Sequence, residues 1–362
     1  MSTFKVEAVA IKEILPHPNA DRLELAKVKG WQCVVPKGQY KPDDFVLYIP
    51  IDAILPEAVE AILFASDAKT KLSNHRVRTI KIRGAISQGM ICDMDLFPAI
   101  RNLPCSEGDD LAKKLGITKY EPVDQITTRG GKQRTRKETN PNFFKYTEIE
   151  NLKNYTNVFN EGEYVYITCK IHGINFRAGW VPAVADTWWK KVKQFFGKLE
   201  KWDFVYGSHN VQLQNGNPLN GDVAYESVYS KAVKKFNLKE TIPYGEVMYG
   251  EIYGYGIQSN YTYGCKAGEF GLVVFDIMVK NEYQNTPFVK EWCDKHKLQM
   301  VPILYQGPFN LEMAKQLTIG NSVLCPSQKI REGVVIKPFA ETMCYCGRKI
   351  LKLISDEYLL KE

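Results

Sequence analysis

Val165-Tyr166-Ile167-Thr168-Cys169-Lys170-Ile171-His172-Gly173-Ile174-Asn175-Phe176-Arg177 alternates in polarity and then reaches a glycine. Val165, Ile167 and Cys169 fall on one side of a two-residue repeat, and Tyr166, Thr168 and Lys170 fall on the other, which is the period of a strand. Lys170 therefore leaves the strand on the face opposite Ile167 and Cys169. Gly173 permits a tight turn and close approach of a ligand to the backbone. An ammonium beside apolar surface loses solvation, and the neutral amine it becomes is a nucleophile. The same alternation also describes a surface strand whose lysine sits in water.

Several downstream segments share this design. In Val247-Met248-Tyr249-Gly250-Glu251-Ile252-Tyr253-Gly254-Tyr255-Gly256-Ile257-Gln258, an apolar strand meets one carboxylate among spaced glycines. Phe270-Gly271-Leu272-Val273-Val274-Phe275-Asp276-Ile277 has the composition of a buried strand. Lys329-Ile330-Arg331-Glu332-Gly333-Val334-Val335-Ile336-Lys337-Pro338 again joins a carboxylate, a glycine and an apolar strand, here ending in lysine. Lys349 and Lys352 follow, ahead of Tyr358, while Phe204-Val205-Tyr206-Gly207-Ser208-His209-Asn210 is a strand ending in a polar turn. Read singly, Glu251 is a turn carboxylate and Phe275 is a core aromatic.

Lys170-Ile171-His172-Gly173-Ile174-Asn175-Phe176 resembles the nucleotidyl-acceptor motif of covalent nucleotidyltransferases, the superfamily of RNA ligases, DNA ligases and mRNA capping enzymes. Its His-Gly and Asn-Phe are closer to the RNA ligase 2 branch than to the Asp-Gly usual in DNA ligases. The resemblance implies that Lys170 attacks the α-phosphate of a nucleotide and holds the monophosphate, with Cys169, His172, Gly173 and Asn175 around it. The segment at Glu251 is similar to motif III, implying that Glu251 holds the ribose and adds negative charge at a metal. Phe275 matches the aromatic that stacks on adenine. The segment at Glu332 resembles motif IV, which implies action on Mg2+ or Mn2+ through its water shell and phosphate neutralisation by Lys337. The segment at Lys352 resembles motif V, which implies an α-phosphate contact. The second lysine of that motif is replaced by Ile354, leaving Lys349 or Lys337 to cover its role. The family's motif Ia arginine is also missing, and His209 stands nearest to its place. Asn142-Phe143-Phe144-Lys145-Tyr146-Thr147-Glu148-Ile149-Glu150-Asn151 resembles the N-terminal segment of RNA ligase 2 enzymes. Lys170, Lys352 and Glu332 are thus the expected catalytic residues, with ATP as cofactor and Glu332 and Glu251 at the metal.

The first hundred or so residues read as short strands between turns, the pattern of a small barrel or sandwich. Leu15-Pro16-His17-Pro18-Asn19-Ala20-Asp21-Arg22-Leu23 and Ile82-Arg83-Gly84-Ala85-Ile86-Ser87-Gln88-Gly89-Met90-Ile91 resemble the opening and closing motifs of tRNA-binding OB domains. Such barrels bind single strands through basic and aromatic side chains. Arg76, Arg78, Lys81 and Arg83 form a basic alternation suited to a phosphate backbone, and equally a solvated strand face. Thr127 to Lys137 is glycine-containing and cationic without apolar periodicity, so it reads as a linker, with Arg134 and Arg136 as further backbone contacts. Asp186 to Phe196 is apolar with interleaved lysines and reads as a helix or insertion.

The expected architecture is α+β. An OB-type β-barrel spans 1–115 and a basic linker spans 116–140. An ATP-grasp-like nucleotidyltransferase domain of antiparallel sheets with flanking helices spans 141–362. A chain of 362 residues suits two domains. Its net charge of +7 is compatible with a phosphate-bearing partner without requiring one. Nine cysteines without regular spacing suit reduced thiols, and Cys344 with Cys346 is the one close pair. No apolar run has the length of a membrane span and no signal sequence is visible, so a cytoplasmic location is expected by default. A further OB domain after motif V, usual in DNA ligases and capping enzymes, is not seen, nor is a kinase-type phosphate loop.

These features point to an ATP-dependent RNA ligase, acting as a monomer on RNA with 5′-phosphate and 3′-hydroxyl ends, at nicks in duplex RNA or an RNA/DNA hybrid. A DNA ligase or guanylyltransferase remains open. So does a binding protein for RNA or tRNA with a degenerate nucleotidyltransferase domain.

Overall fold

The computed structural model describes residues 4–64, 72–120, 140–184, 201–213, 227–258 and 261–361. Most of the cationic linker, including Arg134 and Arg136, lies outside them, as does the segment 186–196. The chain divides into two units: Met1–Gly131 with Glu150–Val158 and Ile354–Glu362, and Lys132–Ile149 with Phe159–Leu353.

The first unit is built from short antiparallel strands. Glu13–Pro16, Leu23–Val28 and Trp31–Pro36 form a meander, and Phe45–Ile49 lies between Glu7–Ala10 and Met90–Cys92. Thr79–Ile82 and Ala85–Gln88 form a hairpin. Ser87 Oγ accepts from the Val34 N–H at 3.1 Å and Gln32 donates to the Ile86 carbonyl at 2.7 Å, so side chains bridge the meander to the hairpin. The apolar run at Phe45–Ile49 serves two cores at once. Val46 and Tyr48 pack with Val9, Trp31 and Val35, while Leu47 and Ile49 pack with Val6, Ala8 and Phe97. A strand covered on both faces loses its polar alternation. The two returning segments are pinned to this unit by Lys153, whose ammonium donates to Gln88 at 2.8 Å and Asp356 at 3.0 Å. Trp31 donates to Asn154 at 2.6 Å.

The second unit contains two sheets. One is antiparallel and orders Gln212–Leu213, Trp202–Gly207, Ile174–Pro182, Glu246–Gly254, Phe270–Val279 and Glu282–Tyr283. Helices Val228–Lys235, Leu238–Thr241 and Thr286–His296 cover one of its faces, burying Ala232, Leu238, Val289 and Trp292 against Phe176, Met248 and Ile277. The longest of these helices is started by Asn285, whose side chain accepts from the Phe288 N–H, with Pro287 in the first turn. The other sheet places Tyr164–Lys170 between Gly333–Pro338 and Ile303–Pro308, with Leu351–Ile354 beyond Gly333–Pro338. The Lys170 strand is therefore central. Residues 165–169 are all buried, a correction to the half-exposed alternation read from the sequence.

The uncovered face of the six-stranded sheet meets the second sheet through Tyr146, Val247, Tyr249, Phe275 and Met278 on one side and Val335 and Ile350 on the other. At the centre lies Asp276, fully buried. Its carboxylate pairs with the Lys337 ammonium at 2.9 Å and the Arg348 guanidinium at 2.7 Å, and accepts from the Tyr146 hydroxyl at 2.8 Å. Burial alone would raise the Asp276 carboxyl, but Lys337 and Arg348 outweigh it and hold it below the usual carboxylate range. Removing one partner of a buried ion pair strands the others without counter-charge, at a cost of about 3–5 kcal/mol. Asp276→Asn is accordingly expected to lower stability on that scale, read as a large fall in the denaturation midpoint. A midpoint equal to the parent's would contradict this role for Asp276.

Candidate active site

Lys170 is the last residue of its strand and lies opposite Gly333. Glu332 directly precedes Gly333, so the register alone sets its carboxylate beside the lysine: Lys170 Nζ is 2.7 Å from Glu332 Oε1. Thr168 and Lys170 lie opposite Val335 and Gly333, and thus share the face on which Lys337 reaches Asp276. That face looks toward the six-stranded sheet.

Gly173 follows the nucleophile candidate by three residues, and the constraint there is packing against a neighbouring strand. A Cβ at Gly173 would sit 2.2 Å from the Ile252 carbonyl oxygen. The role expected for this glycine is ligand approach, but the backbone it accommodates in the structure belongs to Glu246–Gly254. The turn is held from two further points. The His172 N–H donates to the Tyr263 hydroxyl at 2.8 Å, and Gln258 donates to the Gly173 carbonyl at 3.0 Å. Burial holds the His172 imidazole below its usual range, against the pull of Glu332.

Asn175 and Glu251 face each other across adjacent strands of the six-stranded sheet. The Glu251 carboxyl is pushed up to about 8 by burial, with Lys170 opposing, Glu332 reinforcing and the Gly173 N–H opposing. Asn175 Oδ1 and Glu332 Oε2 are buried acceptors without a hydrogen-bond partner. Unsatisfied buried oxygens are costly. Two orphaned acceptors and one desolvated carboxyl around an amine make a cleft suited to a polar, cation-bearing ligand. Among the described residues no three His, Cys, Asp or Glu converge on one metal position. These oxygens nonetheless fit Mg2+ or Mn2+, because such a hard ion is commonly held by one or two carboxylates, water and substrate phosphate.

Phe275 occupies a β-bulge: Tyr249 pairs with Asp276 and Gly250 with Val274, leaving Phe275 unpaired. A bulge re-aims a side chain, and the Phe275 ring sits edge-on to Tyr146 at 4.8 Å. Cys169 is buried beside Lys170, and Lys352 is partly buried on the strand next to Gly333–Pro338. Both lysines offered as substitutes in motif V are engaged elsewhere. Lys337 is held by Asp276, and Lys349 lies 2.7 Å from Glu163. His209 lies 3.2 Å from Glu148. Tyr263, Asp276, Arg348 and Arg177 are not among the site residues expected from the sequence. Arg177 is buried, donates to the Ser208 and Phe143 carbonyls, and is pushed down to about 10 by burial. A polar residue inside an apolar run was the available signal for Asp276.

In the first unit Arg78, Lys81 and Arg83 are exposed on and beside the Thr79–Gln88 hairpin. Arg76 departs from this group. It is buried, bonds Asp52 through two nitrogens at 3.0 and 2.6 Å, and stacks over Tyr120. Alternation gave its spacing but not its burial.

An RNA ligase family model matches residues 163–354, and an OB-fold domain model matches residues 6–94. A search of curated proteins found no match. Among solved structures, the chain is similar to Naegleria gruberi RNA ligase with PPi, at 23% identity and TM-score 0.74, covering 100% of this chain and 99% of that one. It is also similar to a variant of that enzyme with ATP and Mn, at 24% identity and TM-score 0.74 over 99% of each chain. A second variant, with AMP and Mn, is 23% identical with TM-score 0.73, covering 99% of this chain and 98% of that one. These likenesses establish the fold. With its matched segment spanning more than half the sequence and containing Lys170, Glu251 and Glu332, the chain belongs to the RNA ligase family and carries an N-terminal OB-fold domain.

Proposed function

We propose that this protein is an ATP-dependent RNA ligase that forms a lysyl-AMP at Lys170 and seals a 5′-phosphate RNA end to a 3′-hydroxyl at a nick. The observation that carries this reading is the convergence of Lys170, Glu332, Glu251 and Asn175 in one cleft, with two buried oxygens that lack a hydrogen-bond partner. ATP and Mn are also the ligands of a variant of the structurally similar Naegleria gruberi RNA ligase.

In this scheme the Lys170 amine attacks the α-phosphorus and pyrophosphate leaves. Glu332 lies 2.7 Å from the Lys170 amine and fixes its direction. Asn175 and Glu251 hold the nucleoside, Phe275 presents an aromatic face to the base, and Lys352 meets the α-phosphate. Glu332 and Glu251 would hold the divalent cation, which offsets charge on the phosphates when bound. The adenylate then passes to the RNA 5′-phosphate, and attack by the 3′-hydroxyl expels AMP. Positioning and charge neutralisation supply most of such a rate. Arg78, Lys81 and Arg83 provide sequence-independent contact with the RNA backbone.

Sealing is tested on nicked duplexes whose broken strand is RNA or DNA. The parent is expected to join the RNA nick, and Lys170→Ala to join neither. Preferential joining of DNA, or no joining with any substrate, would overturn the assignment in favour of a DNA ligase or a binding protein.

Glu251 also gives a pH signature. Its folded value exceeds the ordinary one, so its stabilising contribution is complete below pH 4.5 and is lost as pH rises through about 8. In ligand-free protein, the melting temperature of Glu251→Gln relative to the parent is expected to rise from about pH 5 to about pH 9. A constant difference would count against the desolvated carboxyl. Replacing Arg78, Lys81 or Arg83 by alanine is expected to lower the slope of log affinity for RNA against log salt by about one each.

A further inference from the structure

One chemical feature lies apart from the cleft. Met343–Cys344 and Gly347–Arg348 form a small hairpin, with Cys344 opposite Gly347. Tyr345 at its tip is 68% exposed and Met343 is 72% exposed. The turn places Cys344 Sγ and Cys346 Sγ 3.1 Å apart, both partly accessible. By contrast Cys33, Cys92, Cys169 and Cys293 are buried, and burial pushes their thiols up, to about 12 for Cys92 and Cys293 and about 11 for Cys169. Two partly accessible thiols this close, separated by one residue, are arranged for intramolecular exchange rather than for a metal cage, since no group of three metal-ligating side chains forms among the described residues.

We propose that Cys344 and Cys346 form a reversible dithiol–disulfide site, oxidised by a low-molecular-weight disulfide such as glutathione disulfide. One cysteine thiolate attacks a sulfur of glutathione disulfide, forming a mixed disulfide and releasing one glutathione thiolate. The second cysteine, as its thiolate, attacks the protein sulfur of that mixed disulfide and expels the second glutathione. Two electrons pass to glutathione disulfide, and the two thiol protons end on the two glutathiones. Closing so short a loop removes little chain entropy from the unfolded state, so the bond gains little stability and remains readily reducible. The site sits two residues before Arg348, which grips Asp276 between the sheets. This inference is independent of the ligase assignment and fails or stands without it.

The test exposes the full chain to glutathione disulfide without denaturant, then quantifies thiols and maps peptides by mass. The parent is expected to fall from nine titratable thiols to seven, with its Cys344–Cys346 peptide about 2 Da lighter, and to recover on treatment with dithiothreitol. Cys346→Ser leaves Cys344 with no second thiol to expel the glutathione, so this variant is expected to retain any glutathione adduct formed on Cys344, which the parent does not. A parent that keeps all nine thiols, holds a stable glutathione adduct on the hairpin, or oxidises at other cysteines instead would overturn the proposal. Because the decisive map is made on the parent, poor folding of the variant leaves the test intact.

Discussion

The buried carboxylate of Asp276 is the constraint on which the second unit depends. It comes from the six-stranded sheet, whereas Lys337 lies on the opposing sheet and Arg348 on the hairpin that leads into its Leu351–Ile354 strand. Neither cation is stable at that depth without the carboxylate, and the carboxylate is not stable without them. This mutual requirement fixes which faces of the two sheets meet. Fixing the faces also places the end of the Lys170 strand across from Asn175 and Glu251, so the charge cluster sets the geometry of the cleft without lining its reactive end.

Around Lys170 the structure keeps polar groups where a purely structural core would not. Glu332 holds the lysine with one oxygen while the other has no hydrogen-bond partner, and the Asn175 oxygen is likewise unsatisfied. Glu251 lies close enough to the same charges to feel both, and burial pushes its carboxyl up to about 8. Each arrangement costs stability in the empty protein and is relieved by a ligand bringing cations and hydrogen-bond donors. That is the expected cost of a preorganised site.

Much of this was legible in the sequence because the motifs are local. A strand ending at Lys170, a carboxylate before Gly333 and a carboxylate after Gly250 are each written in a few adjacent residues. Hydrogen-bond register then brings Lys170 and Glu332 together. What sequence did not disclose depends on partners far apart along the chain. Lys337 reads as a phosphate ligand until Asp276 is seen beside it, and Arg76 reads as a surface cation until Asp52 and Tyr120 enclose it. Tyr263 is invisible as a support for the His172 turn, since nothing local to it names the N–H it receives. Gly173 reads as a place for ligand approach until the Ile252 carbonyl is seen against it. Periodicity reports faces, and it does not say what covers them.

Covalent labelling tests the proposed role of Lys170 as the nucleotidyl acceptor of this cleft. The most direct measurement incubates the protein with α-labelled ATP and a divalent cation in the absence of RNA, then maps the modified peptide by mass spectrometry. One AMP is expected on the peptide containing Lys170, released on addition of pyrophosphate and absent from Lys170→Ala. Label on another residue, label from GTP but not from ATP, or no covalent label at all would contradict it.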